Sequence, residues 1–161
     1  MSTETNAEAL DLEATQNARN SAARLAAVQA LYQLKSNEEL VPFLIEEYRQ
    51  HRLGKAIDDV QTITPDSNLF ERILRGVTQH EATVQEMLAS AISKGGQARA
   101  VPSEPLLNAI LSCGAYELMS HQDIDAPILI DDYLHVTHAF YDQGEHKLVN
   151  AVLDRVKKMT R

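Results

Sequence analysis

Basic residues are scarce in this chain: 15 lysines and arginines stand against 23 aspartates and glutamates among 161 residues, a formal net charge of −8 at pH 7. A deficit of that size works against indiscriminate electrostatic capture of nucleic acid or of an anionic membrane. Cysteine is scarcer still. The single Cys113 excludes a disulfide framework and any multi-cysteine zinc or iron–sulfur site within one chain. No apolar run approaches the ~18 residues of a membrane span. The opening MSTETNAEALDLEATQNARN lacks the apolar stretch with basic flanks that marks a signal peptide. We therefore expect a soluble, cytoplasmic protein of a reducing compartment, with no membrane partner.

Catalytic signatures are missing as well. Gly95–Gly96 and Gly54–Lys55 lack the spacing of a phosphate loop, and neither GxSxG nor HExxH occurs. Cys113 lies in the most apolar stretch with no histidine near it in sequence, which predicts an inert core thiol. Asp131, His135, His138 and Asp142 follow i, i+4, i+7, i+11 spacing and so share one helix face, as metal ligands would. The same spacing describes the solvent face of a helix whose other side carries Leu129, Tyr133, Val136 and Phe140, and that is the reading we adopt. Neither a metal, a cofactor nor an enzymatic activity is expected.

What is present is a helical pattern. Hydrophobic residues make up 44% of the chain, enough for a real interior in one domain or in two small helical halves that share a core. Residues 1–16 carry Glu4, Glu8, Asp11 and Glu13 without a base, half of the −8, and are too sparsely apolar to dock; they read as a disordered acidic tail. From about 19 to 35, Ala23, Leu25, Ala27, Val28, Leu31 and Tyr32 form a broad apolar arc. A second helix fits Glu38 to Arg49, with Leu40, Val41, Leu44, Ile45 and Tyr48 inward. After HRLGKAIDDVQTITPDS, with a stop at Gly54, Asp66 or Ser67 caps a third helix carrying Leu69, Phe70, Ile73, Leu74 and Val77. A fourth places Val84, Met87, Leu88, Ala91 and Ile92 inward before the break GGQARAVPSEP. Ser103, ahead of Pro105, caps a fifth helix, LLNAILSCGAYELM, apolar on nearly every side. Asp125 and Pro127 open a sixth, and Leu148, Val152, Val156 and Met159 stripe a seventh. No strand pair is evident. The fold class is all-α, about seven helices.

Two basic islands interrupt the acidic background. No acid occurs between Ala14 and Asn37, whereas Arg19, Arg24 and Lys35 do. Arg19 and Arg24 with Ser21 offer phosphate ligands, and Tyr32 offers a ring on which an unpaired base could stack. The bland alternative makes the arginines solvated helix ends and Tyr32 core. The second island, Lys147 with Arg155, Lys157, Lys158 and Arg161, could equally offset the negative end of the last helix.

Four segments, in order, resemble one family. ARLAAVQALYQL (23–34) resembles the first helix of the NusB family of bacterial transcription antitermination factors. LFERILRGVTQH (69–80) is similar to that family's third-helix motif, and AILSCGAYEL (109–118) to its AxLRxALYEL helix. DIDAPILIDDYLHVTHAFYDQGEHKLVNAVLD (123–154) follows the closing segment, of which HKLVNAVLD is the most specific piece.

The resemblance implies two small helical bundles behind the tail of residues 1–16, one over 17–95 and one over 101–161. It implies a non-catalytic module that pairs with the ribosomal small-subunit protein NusE. The pair would bind boxA-like single-stranded RNA of ribosomal RNA leader transcripts within the RNA polymerase antitermination complex. Carried over by position, the RNA-binding residues are Arg19, Ser21, Arg24, Tyr32, Lys147 and Leu148, and the partner-facing residues are Leu107 and Asn108. Asn20, Ser21 and Ala22 fall where the family is arginine-rich. Gly144 and Glu145 fall where it often shows Asp and Ser. Leu107, Asn108 and Ser112 replace a Glu, a Lys or Arg, and an Arg. Each lost phosphate contact should lower affinity and the salt slope, by roughly 0.7 to 0.9 per charge. We therefore expect weak RNA binding alone and useful binding in the pair. A helical scaffold of the same fold that has lost direct RNA binding is the alternative.

Overall fold

In the computed structural model the backbone of residues 2–51, 63–94 and 100–161 is described; side chains before Thr15 (Asn6 excepted) and that of Lys94 lie outside the described residues. The expected stop at Gly54 and the first half of the break before Pro105, residues 95–99 with the Gly95–Gly96 pair, also fall outside them. The described residues form seven helices and no strand: α1 (Ser2–Asn37), α2 (Val41–His51), α3 (Ser67–Gln79), α4 (Glu81–Lys94), α5 (Pro105–Ser120), α6 (Ala126–Phe140) and α7 (Glu145–Thr160).

The first helix begins far earlier than the apolar arc requires. Ala, Glu and Leu dominate residues 7–14, and their high helix propensity carries the backbone of the acidic segment into α1. At the other end, Glu38 takes a φ of 54°, a left-handed residue just past the helix, which ends α1 at Asn37. That turn delays α2 to Val41. Leu40, expected inward, becomes the residue before the helix, accepting from Leu44 N at 3.1 Å, and is 64% exposed. Phe140, also expected inward, ends α6 and is 39% exposed.

Caps fix the register of α3 and α5. Asp66 Oδ1 accepts from Leu69 N at 2.9 Å, resolving the choice between Asp66 and Ser67. At α5 the cap is Glu104 and not Ser103: its two oxygens accept from Leu106 N and Leu107 N at 3.0 Å each. A carboxylate there also faces the positive end of the helix.

α5 explains its own composition. It packs on α1, α3, α4, α6 and α7, so almost no side of it meets water, and Ile110, Leu111, Cys113, Ala115 and Leu118 are all buried. α4 belongs to this group, lying on α5 and α7. α1 packs on α3 and α5 with Ala23, Ala27, Val28, Ala30 and Leu31 buried, the alanines allowing close approach. Tyr48 of α2 stacks on Phe70 of α3, centroids 5.2 Å apart. Gly76 meets Tyr116 at the α3–α5 contact so closely that a Cβ would overlap the ring. The chain's last residue closes the far end. Arg161 donates to the carbonyls of Leu118 (3.1 Å), His121 (3.0 Å) and Ile124 (2.5 Å), so this member of the second basic island satisfies the C-terminus of α5.

Candidate nucleic-acid interface

Two of the expected phosphate-binding positions of α1, Arg24 and Ser21, are drawn inward. Arg24 is 2% exposed. It occupies the core stripe of α1, four residues before Val28 and seven before Leu31, both buried. Its Nε donates to Glu117 Oε2 at 2.7 Å, its Nη2 to Glu117 Oε1 at 3.3 Å, and its Nη1 to Asp132 Oδ2 at 2.7 Å. The guanidinium expected to hold phosphate is, in this structure, buried and engaged by two carboxylates. Ser21, expected beside it, turns its hydroxyl to the same Asp132, 2.9 Å from Oδ1. Sequence reasoning missed Glu117, Asp132, Tyr133 and His121, which complete this network. The available signal was charge inside apolar stripes: Arg24 on α1, and Glu117 in a helix with almost no polar side.

The network is fully partnered. Glu117, with no exposure, also accepts from Tyr133 Oη at 2.6 Å and lies 2.9 Å from His121 Nδ1. Burial pushes its carboxyl up, but the bonds from His121 and Arg24, the Arg24 charge and the Tyr133 bond outweigh that and hold it below the ordinary carboxylate range. Burial likewise lowers Arg24, yet Glu117 and Asp132 keep its guanidinium firmly charged. Tyr133 is pushed well above the usual phenol range by burial and by the Glu117 charge. Burial pushes the Cys113 thiol up too, which leaves it without thiolate character. The network joins α1, α5 and α6, and Ser21 and Asp132 lie where it reaches a mostly apolar groove of about 440 Å³ lined by α1, α6 and Ile63, with His135 also on its wall.

The other expected positions lie on the surface or at its edge. Arg19 is half-buried, its Nε donating to the Thr64 carbonyl at 3.1 Å. Tyr32 is 42% exposed, so its ring is an edge feature of α1 and not part of the core. Lys147 is exposed in the first turn of α7, and Leu148 beside it is half-buried. Gly144, the residue before α7, contributes no side-chain cap, and Lys147 N reaches only its carbonyl at 3.1 Å.

The partner-facing pair divides. Leu107, expected to face the partner, is 8% exposed and packs in the core, its N–H donating to Glu104. Asn108 stays at the rim of a shallow depression of about 160 Å³ with Lys35 and Pro105. Its amide donates to the Pro102 carbonyl at 3.0 Å, and its oxygen accepts from Gln85 Nε2 at 3.2 Å and Ser112 Oγ at 3.1 Å. Gln85, Asn108 and Ser112 thus form a neutral amide–hydroxyl cluster. Asp131 and His135 are both mostly exposed and 3.8 Å apart, while the His138 ring turns to His146 of α7, not to its own helix face. Among the described residues no three His, Cys, Asp or Glu side chains are grouped to hold a metal ion. No described helix is long and apolar enough to cross a membrane.

Comparison with known proteins agrees with the motif order. Two relatives, each named transcription antitermination protein NusB, align over most of their length. That of Novosphingobium aromaticivorans is 39% identical over 141 residues, 87% of this chain and 93% of that protein. That of Mesorhizobium japonicum is 38% identical over 143 residues, 89% and 91% respectively. Among solved structures the fold matches T. maritima NusB with a TM-score of 0.67 at 22% identity, over 86% of this chain and 90% of that one. It also matches a chain in the crystal structure of antitermination factors NusB and NusE in complex with dsRNA, with a TM-score of 0.68 at 17% identity, over 88% of this chain and 97% of that one. Residues 21–158 match the NusB family, and the chain belongs to it.

Proposed function

We propose that this chain is a cytoplasmic transcription antitermination factor. It binds boxA-like single-stranded RNA of ribosomal RNA leader transcripts together with the ribosomal protein NusE, as part of the RNA polymerase antitermination complex. The observation that carries the reading is family membership over residues 21–158, which spans both the α1 edge with Tyr32 and the α7 start with Lys147. Tyr32 stacks on a base, Lys147 and Arg19 hold phosphate, and Leu148 supplies an apolar edge. Arg24 and Ser21 act from behind, fixing α1 against α6. The module is non-catalytic and needs no cofactor.

The partner is integral to this reading. With Arg24 neutralised internally and a net charge of −8, the chain presents few free cations to a polyanion. Asn108 and the depression it rims are where NusE docks, through hydrogen bonds and not ion pairs. Gel shifts at stepped salt, with and without NusE, test the proposal: strong retardation by the mixture and weak retardation by either protein alone are expected. No retardation by the mixture at low salt overturns it.

A further inference from the structure

We infer that His138 and His146 form a proton-linked seat for an RNA phosphate, so that the RNA affinity of this chain rises as pH falls from 7.5 to 6. The inference rests on the RNA-binding reading above and adds a site and a condition to it.

The two imidazoles come from different helices. His138 is exposed in the last turn of α6, and His146 is half-buried in the first turn of α7. Their ring centroids are 4.8 Å apart with planes 31° from parallel. No hydrogen bond or ion pair among the described residues engages either ring, although both carry ring N–H groups able to donate. Lys147 follows His146 directly and is exposed. Two neutral imidazoles can stack in this way. Two imidazolium rings so close repel each other unless an anion lies against both, and a phosphate diester is such an anion.

The charge around the pair makes the effect decisive. Asp142 lies in the connection between the helices, and Glu145 and Lys147 lie in the first turn of α7. Glu104 at the start of α5 is engaged by the Tyr141 hydroxyl, and Asp131 further up α6 lies beside His135. On α1, Arg19 is turned to Thr64. With both rings neutral, Glu104, Asp142, Glu145 (one of whose carboxylate oxygens is buried without a hydrogen-bond partner) and Lys147 sum to −2; with both protonated the corner becomes neutral. A corner that repels phosphate at slightly alkaline pH no longer does so at slightly acid pH, and its imidazolium N–H groups and Lys147 can then hold it. Imidazole is the side chain able to change charge in this interval, and a phosphate seated against both rings favours their charged form, so protons and RNA bind together.

Fluorescence-anisotropy titrations of a boxA-like RNA oligonucleotide with this chain and NusE, at pH 6.0 and 7.5 and fixed ionic strength, test the inference. The unmodified chain should bind about five- to tenfold more tightly at pH 6.0. His138→Gln and the double variant His138→Gln/His146→Gln should lose most of that gain, whereas His135→Gln, outside the stack, should keep it. The exposed His138 makes the single variant informative even where His146→Gln perturbs folding. Equal affinity at the two pH values, or an undiminished gain in His138→Gln, overturns the inference and leaves RNA binding standing. No RNA binding at either pH overturns the RNA-binding reading and this site with it.

Discussion

The Nε of Arg24 lies 2.7 Å from Oε2 of Glu117, and the two side chains, 93 residues apart in sequence, are 2% and 0% exposed. This pair nails the middle of α1 to the centre of α5, and Asp132 extends the hold to α6. Its desolvation is offset by further bonds, from Tyr133 and His121 to Glu117 and from Ser21 to Asp132. Such a network adds little over an apolar core of the same shape, but it is costly to break from one side.

Arg24→Ala should therefore act on folding. Removing the guanidinium leaves Glu117 charged, buried and short of donors, a loss of about 3–5 kcal/mol. A fall in melting temperature of roughly 10 °C follows for a chain of this size. Glu117→Gln should cost a comparable amount, and the two together less than their sum, because they share one network. Urea unfolding of the four proteins checks this; strict additivity would show that the pair does not act as a unit.

Acid should act through the same carboxylate. The folded-state titration of Glu117 is depressed, so its contribution is present above the unfolded-state value, about 4.3, and is lost as pH falls through the folded value. Asp66, held below its usual range chiefly by the Leu69 N–H that it caps, shifts in the same direction. Stability measured by urea unfolding should hold from neutral pH to about pH 5 and then fall steeply. In Glu117→Gln the fall should be shallower.

The α3–α5 contact offers a steric test. Gly76 lies against the Tyr116 ring, which is itself flanked by His80 and His121 at 6.0 and 5.6 Å and cannot easily swing aside. Gly76→Ala should cost about 1–3 kcal/mol despite its better helix propensity. Tyr116→Ala in the same chain should recover part of that loss in thermal unfolding, since the added methyl then meets space.

Local patterns were legible in the sequence because they are local causes. Apolar spacing marks all seven helices, and Asp66 and Pro105 announce their own helix starts. The departures arise where a cause lies elsewhere in the chain or in the backbone. Glu38 in a left-handed conformation moves the start of α2 and exposes Leu40. Ser103 and Glu104 both offer oxygens to α5, and backbone geometry selects the carboxylate. Arg24 shares a stripe with Val28 and Leu31, yet nothing near it reveals a carboxylate 93 positions away. The family motif names that position without telling whether its charge faces solvent or core.

That distinction yields the sharpest test of the interface. Tyr32, 42% exposed, and Lys147, exposed on α7, can be truncated with little loss of packing. Tyr32→Ala should weaken RNA binding by about 1–3 kcal/mol through lost base stacking, with the salt slope unchanged. Lys147→Ala should lower the slope of log affinity against log salt by roughly 0.7 to 0.9, the signature of one phosphate contact in single-stranded RNA. Arg24→Ala should do neither where the protein is folded: its effect on binding should track the fraction unfolded and disappear on cooling or with a stabilising osmolyte. If Arg24→Ala in a fully folded sample lowers the salt slope by one contact, its guanidinium leaves Glu117 and Asp132 for RNA, and the network opens when RNA binds.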